Sequence, residues 1–146
     1  MPLTCHDPSI REHELCQLTN KVMELLNTRA YDDPWFKIHV SPEVRVNYNG
    51  EALTCGLQDA MSHYQEDAAI SPNFQCEVEL MTALSNDFRR TDAVILTERM
   101  RNFDRHEVWA GKQRSAQILW NWTRKAEIWK LQSVIMMFGT CEYLES

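Results

Sequence analysis

Apolar residues spaced three and four positions apart indicate where the chain folds into helices. This spacing predicts a first helix over about residues 8–27, a short helix over 35–39 and a third over about 57–68. Asp32 and Asp33 precede Pro34, a pattern that favours a helix start at that point. The N-terminal half is therefore expected to be mainly helical.

A period of two marks the strands. Val44, Val46 and Tyr48 alternate with Arg45 and Asn47, which predicts a half-buried strand before a turn at residues 49–50. The same alternation predicts strands over 74–80, 93–100, 113–123 and 127–138, with a polar turn at 87–90. Strands joined by short turns pair antiparallel. Because the helices largely precede the strands, the class is α+β, in one domain spanning 1–146.

The strand over residues 113–123 carries side chains of different character on its two faces. One face is apolar and the other is mixed: Ala116, Ile118, Trp120 and Trp122 against Ser115, Gln117, Leu119 and Asn121. The mixed face is typical of a pocket lining, and a curved sheet with helices closing its hollow side and a second molecule on its other side would explain both faces. The alternation does not decide which face is the hollow one. The alternative is a core strand that is buried on both sides.

Composition excludes several classes of function. The net charge of −6 argues against binding to nucleic acid or to an anionic membrane. Five cysteines without C-x-x-C spacing indicate reduced thiols rather than disulfides or zinc. We expect a cytoplasmic protein, since the first seven residues lack an apolar leader segment and no apolar run reaches about 20 residues. Neither a metal nor any other cofactor is expected, because metal-ligand spacing and a glycine-rich phosphate loop are both missing.

Titratable residues near predicted apolar faces are candidates for acid–base chemistry. Asp32 is a candidate base, with a helix cap as the equal alternative, and Tyr48 lines either a pocket or the core. Glu98 is in phase with apolar strand positions, although a solvated ion pair with neighbouring arginines is favoured. His63 lies at the edge of a buried helical stripe, and His39 is more consistent with packing at a pocket rim.

Several segments resemble the SnoaL-like, or NTF2-like, superfamily and, within it, scytalone dehydratase. The resemblance rests on residues 30–32 before a tryptophan and on the segments 41–48, 114–120 and 127–131. It implies a cone in which N-terminal helices pack on a curved antiparallel sheet around a pocket. It also implies a homodimer, for which the face bearing Ile118, Trp120 and Trp122 is one possible interface.

The same resemblance assigns roles to individual residues. Tyr31 and Tyr48 would polarise a substrate carbonyl, and Asp32 would activate the proton-transfer group. Ser115 matches a substrate-contacting serine, and Gln117 stands where that family has asparagine. The remaining residues expected to contact the substrate are Trp35, His39, Asn121 and Leu131.

The implied function is that of a cofactor-independent dehydratase, isomerase or cyclase. Its substrate would be a small hydrophobic or aromatic intermediate of the polyketide type. Because Asn73 replaces one expected histidine and the other has no counterpart, a non-catalytic ligand-binding or assembly module is the alternative. A small subunit of a larger oxygenase is a third possibility.

Overall fold

Three helices and six strands make up the part of the chain that the structure, a computed structural model, describes: residues 8–48, 51–84, 91–101 and 112–143. The helices are α1 (Pro8–Asn27), α2 (Trp35–His39) and α3 (Leu57–Ile70). The strands are β1 (Val40–Tyr48), β2 (Glu51–Cys55), β3 (Gln75–Leu84), β4 (Thr91–Arg101), β5 (Lys112–Lys125) and β6 (Ile128–Tyr143). The predicted turns at 49–50 and 87–90 lie outside the described residues.

All six strands form one curved sheet in the order β2-β1-β6-β5-β4-β3. Neighbouring strands are antiparallel except β1 and β6, which run parallel at its centre. The predicted α+β class is confirmed. Strand β2 was not predicted, and the parallel pair departs from the expected antiparallel sheet because β1 joins the sheet beside the last strand rather than beside β3.

The helices cover the apolar face of the sheet, which becomes the core. Ile118, Trp120 and Trp122 on β5 are 1%, 2% and 0% exposed. Burying these large side chains under α1 and α3 stabilises the fold far more than burying serine and glutamine would. The expectation that the mixed face is the hollow one is therefore wrong. The apolar face is buried within the chain and cannot serve as a dimer interface.

Polar groups tie α1 to this core. Thr19 is fully buried, and its hydroxyl donates to the Leu15 carbonyl at 2.8 Å within the helix. The same hydroxyl oxygen accepts the indole N–H of Trp122 at 3.1 Å, across from helix to sheet. A buried indole N–H without a partner would be costly. This contact therefore ties α1 to the C-terminal part of β5.

The opposite face of the sheet faces away from the helices. Ser115 and Gln117 are exposed there, together with several large apolar side chains. Leu80 is 62% exposed and Met137 is 49% exposed. We call this surface the outer face.

Candidate functional site

A cavity that is partly open to solvent lies between the helices and the inner face of the sheet, and it measures about 690 Å³ with the solvent at its opening included. Its wall is mostly apolar and includes Met23, Leu26, Ala68, Phe74, Ile118, Trp120, Val134, Met136 and Phe138. The remaining lining residues carry polar groups: Asn27, Arg29, Tyr31, Tyr64, Asp67, Cys76 and Glu98. An apolar cavity with a few convergent polar groups is the usual form of a small-molecule site.

Glu98 is the buried acid of this cavity. It alternates along β4 with Val94 and Leu96, and all three are 0% exposed. The Cys76 thiol is its only described side-chain hydrogen-bond partner. Burial raises the pKa of Glu98 from 4.5 to about 7. The group can therefore both accept and donate a proton near neutral pH.

Two tyrosines stand on the helical side of the cavity. The Tyr31 hydroxyl donates to the Tyr64 backbone carbonyl over 3.4 Å. Burial raises the pKa of both phenols, and the nearby Glu98 charge raises that of Tyr64 further. Both phenols consequently remain protonated at neutral pH, and Tyr31 could donate to a ligand only in place of its bond to the Tyr64 carbonyl.

A second acid, Asp67, is contributed by α3. Asp67 is buried, and its Oδ2 lies 3.3 Å from Nε2 of His63, one helical turn earlier. His63 is not among the cavity-lining residues, but it contacts two of them, Asp67 and Tyr64. It therefore lies behind the cavity wall.

The cation in the cavity wall is engaged with backbone. Arg29 follows α1 in the left-handed region (φ 62°), and its guanidinium donates to the carbonyls of Leu26 (3.2 Å) and Phe74 (2.5 Å). Asn27 binds β3 in a similar way. Its amide donates to the Cys76 carbonyl at 3.1 Å and accepts the Cys76 N–H at 3.2 Å. These contacts hold the end of α1 against the first residues of β3.

The cavity brings together only part of the predicted catalytic set. Tyr31 and Glu98 line it, and the favoured interpretation of Glu98 as a solvated ion pair is wrong because the side chain has no solvent exposure. Asp32 is exposed and lies outside the cavity lining. Its neighbour Asp33 accepts the Trp35 N–H at 2.9 Å, so the Asp-Asp-Pro pattern here starts a helix.

The position of one predicted catalytic residue cannot be compared with the cavity. Tyr48 belongs to β1, but its side chain lies outside the described part of the structure. Its role stays a prediction.

The residues predicted to bind substrate are dispersed. Ser115 and Gln117 lie on the outer face, away from the cavity, and Asn121 donates to the Ser133 hydroxyl there at 2.7 Å. Trp35 and His39 stack at 4.7 Å between ring centres beside a separate surface groove.

One substrate-binding candidate, Leu131, lies in the apolar interior. It is 3% exposed and lines a second, smaller apolar cavity next to the main one. None of the substrate-binding candidates lines the cavity that contains Glu98.

Most residues of the cavity were not predicted as site residues, among them Arg29, Tyr64, Asp67, Cys76 and Trp120. For Asp67 a signal was available, because it follows Tyr64 by three positions and His63 by four, on the buried side of α3. For Arg29 the relevant contacts include the carbonyls of Pro72 and Phe74, just before β3 and distant in sequence. No local pattern reveals them.

The described residues give two further findings about the chain. They contain no group of three or more histidine, cysteine, aspartate or glutamate side chains that could hold a metal ion. No described helix is long and apolar enough to cross a membrane.

Comparison with solved structures finds proteins that share this arrangement of helices and sheet. The chain superposes on an NTF2-like protein of unknown function from Pseudomonas putida, with a TM-score of 0.69 and 13% identity. The superposition covers 88% of this chain and 87% of that one. A second similar structure is a Streptomyces avermitilis protein that is provisionally described as a dehydratase of the NTF2-like family. Its TM-score is 0.71 at 13% identity, over 92% of this chain and 99% of that one.

A provisionally described ketosteroid isomerase from Kribbella flavida also superposes, with TM-score 0.57 and 16% identity over 92% of this chain and 84% of that one. The chain therefore has the NTF2-like, or cystatin-like, fold. No family model matches the sequence, and no curated protein matches it.

Proposed function

We propose that the protein is a cofactor-independent acid–base enzyme that moves a proton on a small hydrophobic carbonyl compound, with Glu98 as the proton-transfer group. The observation that carries this proposal is a fully buried carboxyl group in the wall of an apolar cavity, with only the Cys76 thiol described as a side-chain hydrogen-bond partner. Such a group is costly to folding, and positions of that kind are frequent in active sites.

The chemistry of the cavity supports this role. Removal of a proton next to a carbonyl needs a base whose pKa lies near the working pH, and burial brings Glu98 to about 7. It also needs donors for the oxygen that gains negative charge, and Tyr31 and Tyr64 are protonated phenols on the same cavity. Dehydration and double-bond isomerisation both begin with this step.

The resemblance to scytalone dehydratase supports the proposal in a modified form. Tyr31 keeps the implied role of polarising the substrate carbonyl. Glu98, rather than the exposed Asp32, acts as the base. The choice between dehydration, isomerisation and cyclisation stays open within the proposal. An aromatic, polyketide-type substrate stays a prediction.

Proton exchange tests the proposal without knowledge of the natural substrate. A panel of cyclic ketones is incubated with the protein in D₂O, and loss of the α-proton signal is followed by NMR. We expect Glu98→Gln to slow the exchange by about 10²-fold or more, since a positioned base contributes on that order. Glu77→Gln, an exposed change on β3, is the matched control and should leave the rate unchanged. An unchanged rate in Glu98→Gln would remove this residue from the mechanism.

One observation favours the alternative of a non-catalytic binding module. Glu98 has no accessible surface, so a substrate reaches it only if the neighbouring cavity side chains move. If the parent protein binds hydrophobic ligands tightly, yet exchanges no proton in any of them, the binding module is the better description.

The protein is also proposed to form a homodimer, through the outer face rather than the face first considered. Exposed apolar side chains recur there on three strands, including Leu80, Ile95 and Met137. Contiguous apolar surface of this kind is frequent at protein interfaces.

A further inference from the structure

Cys76 lies beside Glu98 in the cavity wall, on the neighbouring strand. In the pairing of β3 with β4, Val78 is opposite Glu98, and Cys76 comes two residues before Val78. Residues two apart on a strand share a face, so Cys76 and Glu98 are diagonal neighbours on the inner face of the sheet. Both line the cavity. A side chain as long as glutamate can reach such a neighbour.

The backbone of Cys76 is held by the end of α1. The Asn27 amide donates to the Cys76 carbonyl at 3.1 Å and accepts the Cys76 N–H at 3.2 Å. Because β3 is an edge strand, these two backbone groups have no neighbouring strand to pair with on that side. The place of the thiol is therefore set by a helix as well as by the pairing with β4.

The thiol keeps its proton at every pH at which Glu98 changes its charge. Cys76 is a free cysteine that packs against the core. Burial raises its pKa well above the ordinary value of 9.0, and the neighbouring Glu98 charge raises it further. The pKa of Glu98 is about 7, so this carboxyl group ionises beside a thiol that is still an S–H donor.

The other titratable and charged groups of the described cavity wall come from the helical side. Tyr64 and Asp67 belong to α3, and Tyr31 donates its hydroxyl to the Tyr64 carbonyl. Arg29 follows α1, and its guanidinium donates to backbone carbonyls. Strands β5 and β6 contribute no titratable residue to the described wall. The thiol is thus the side-chain donor described for the Glu98 carboxylate.

An ionised carboxylate in an apolar wall needs such a donor. A charged group that is buried without a hydrogen bond is strongly disfavoured, and hydrogen bonds to charged acceptors are stronger than neutral ones. A thiol that is bonded to one carboxylate oxygen also leaves the other oxygen for a substrate. The contact therefore affects both the charge and the orientation of the acid.

From these observations we propose that the Cys76 thiol donates a hydrogen bond to the ionised Glu98 carboxylate, and that Cys76 is thereby the positioning residue of the base. The proposal rests on the proposed function for the role of Glu98 as a base, but the contact itself can be tested without a reaction. Asn27 completes the arrangement, because it holds the backbone from which the thiol projects.

The pH dependence of α-proton exchange tests the role of the thiol. Exchange in the parent should rise with a midpoint near pH 7, as Glu98 ionises. Cys76→Ala should raise this midpoint by about 0.5–1, because loss of a weak donor favours the neutral acid, so exchange below the midpoint should fall about three- to tenfold. A merely structural role would lower the rate at all pH values and leave the midpoint in place.

Two further variants serve as rescue and control. Cys76→Ser places a hydroxyl donor at the same position and should return the midpoint to that of the parent or below it. Cys16→Ala changes another half-buried cysteine, which is on α1 and outside the cavity wall, and it should leave the midpoint unchanged.

Infrared spectroscopy of the unmutated protein covers the case in which Cys76→Ala does not fold. The S–H stretching band moves to lower wavenumber as the hydrogen bond of the thiol strengthens. Between pH 5 and pH 8, one S–H band of the parent should move in this direction, and in Glu98→Gln it should not. The proposal is overturned if no S–H band moves, if the movement persists in Glu98→Gln, or if the exchange midpoint is unchanged in folded Cys76→Ala.

The outcomes separate this proposal from the proposed function. An S–H band that responds to the ionisation of Glu98, without α-proton exchange in any ketone, would uphold the contact and reject Glu98 as a base. Exchange that depends on Glu98, with no S–H response and no change of midpoint in Cys76→Ala, would do the reverse.

Discussion

The buried carboxyl group makes the stability of the protein depend on pH in a direction opposite to that of most acids. The pKa of Glu98 is raised from 4.5 to about 7 by burial, so the folded state binds this proton more tightly than the unfolded chain does. The contribution of Glu98 to the unfolding free energy is therefore fully present below pH 4.5, and it is lost as the pH rises through about 7. The shift corresponds to roughly 3 kcal/mol of unfolding free energy.

The substitution Glu98→Gln removes the titration while keeping the shape of the side chain. At pH 5 the variant and the parent should differ little, apart from the cost of placing an amide at this site. By pH 8.5 the variant should have gained roughly 3 kcal/mol relative to the parent. For a domain of this size that is a relative rise in Tm on the order of 10 °C.

Denaturant unfolding at pH values from 5 to 8.5 measures this directly. The quantity to compare is the difference in unfolding free energy between variant and parent at each pH, because the pH effects of all other groups cancel in it. Glu77→Gln serves as the control, since it makes the same chemical change at an exposed position on the neighbouring strand. A pH-independent difference for Glu98→Gln would show that the carboxyl group is not held in its neutral form.

Three further substitutions test other parts of the structure. Thr19→Val leaves the buried Trp122 N–H without its acceptor and should cost about 1–3 kcal/mol of unfolding free energy, measured by denaturant titration. Asp32→Asn, on an exposed residue outside the cavity, should leave proton exchange within about twofold of the parent, and a large loss would restore Asp32 as a catalytic candidate. Leu80→Lys on the outer face should shift sedimentation towards a monomer, and a dimer unaffected by it would place the interface elsewhere.

The fold class could be predicted because periodicity is a local property of the chain. The alternation through Val94 and Leu96 placed Glu98 on a buried face, and the structure agrees. The interpretation of Glu98 as a solvated ion pair was based on the arginines that follow it. These arginines belong to the end of the strand and do not determine whether Glu98 is buried.

The candidate site was harder to predict because it depends on which sheet face the helices cover. Alternation along β5 separates Ser115 and Gln117 from Trp120 but does not say which set faces inward. The mixed character of one β5 face put the pocket on the wrong side, and the resemblance placed its substrate contacts, Ser115 and Gln117, on that same side. The contacts of Arg29 and Cys76 arise from residues far apart in the chain, so they appear only when the chain is folded.

The attachment of α1 to β3 also protects an edge of the sheet from pairing with strands of other chains. Strand β3 is an edge of the sheet, and a free edge invites pairing with a strand from another molecule. Asn27 occupies both backbone hydrogen-bonding groups of Cys76, and Arg29 occupies the carbonyl of Phe74. These backbone groups are therefore not free to pair with a strand from another molecule.

Beyond Cys76, the same edge is irregular and charged. The strand pairing shifts between Val78 and Leu80, and the exposed Glu79 forms an ion pair with Arg99. Together with the side chains from α1, these features leave no long, flat stretch of described edge on which a foreign strand could dock. The contacts of Asn27 and Arg29 therefore both form part of the cavity wall and oppose the addition of a further strand to the sheet.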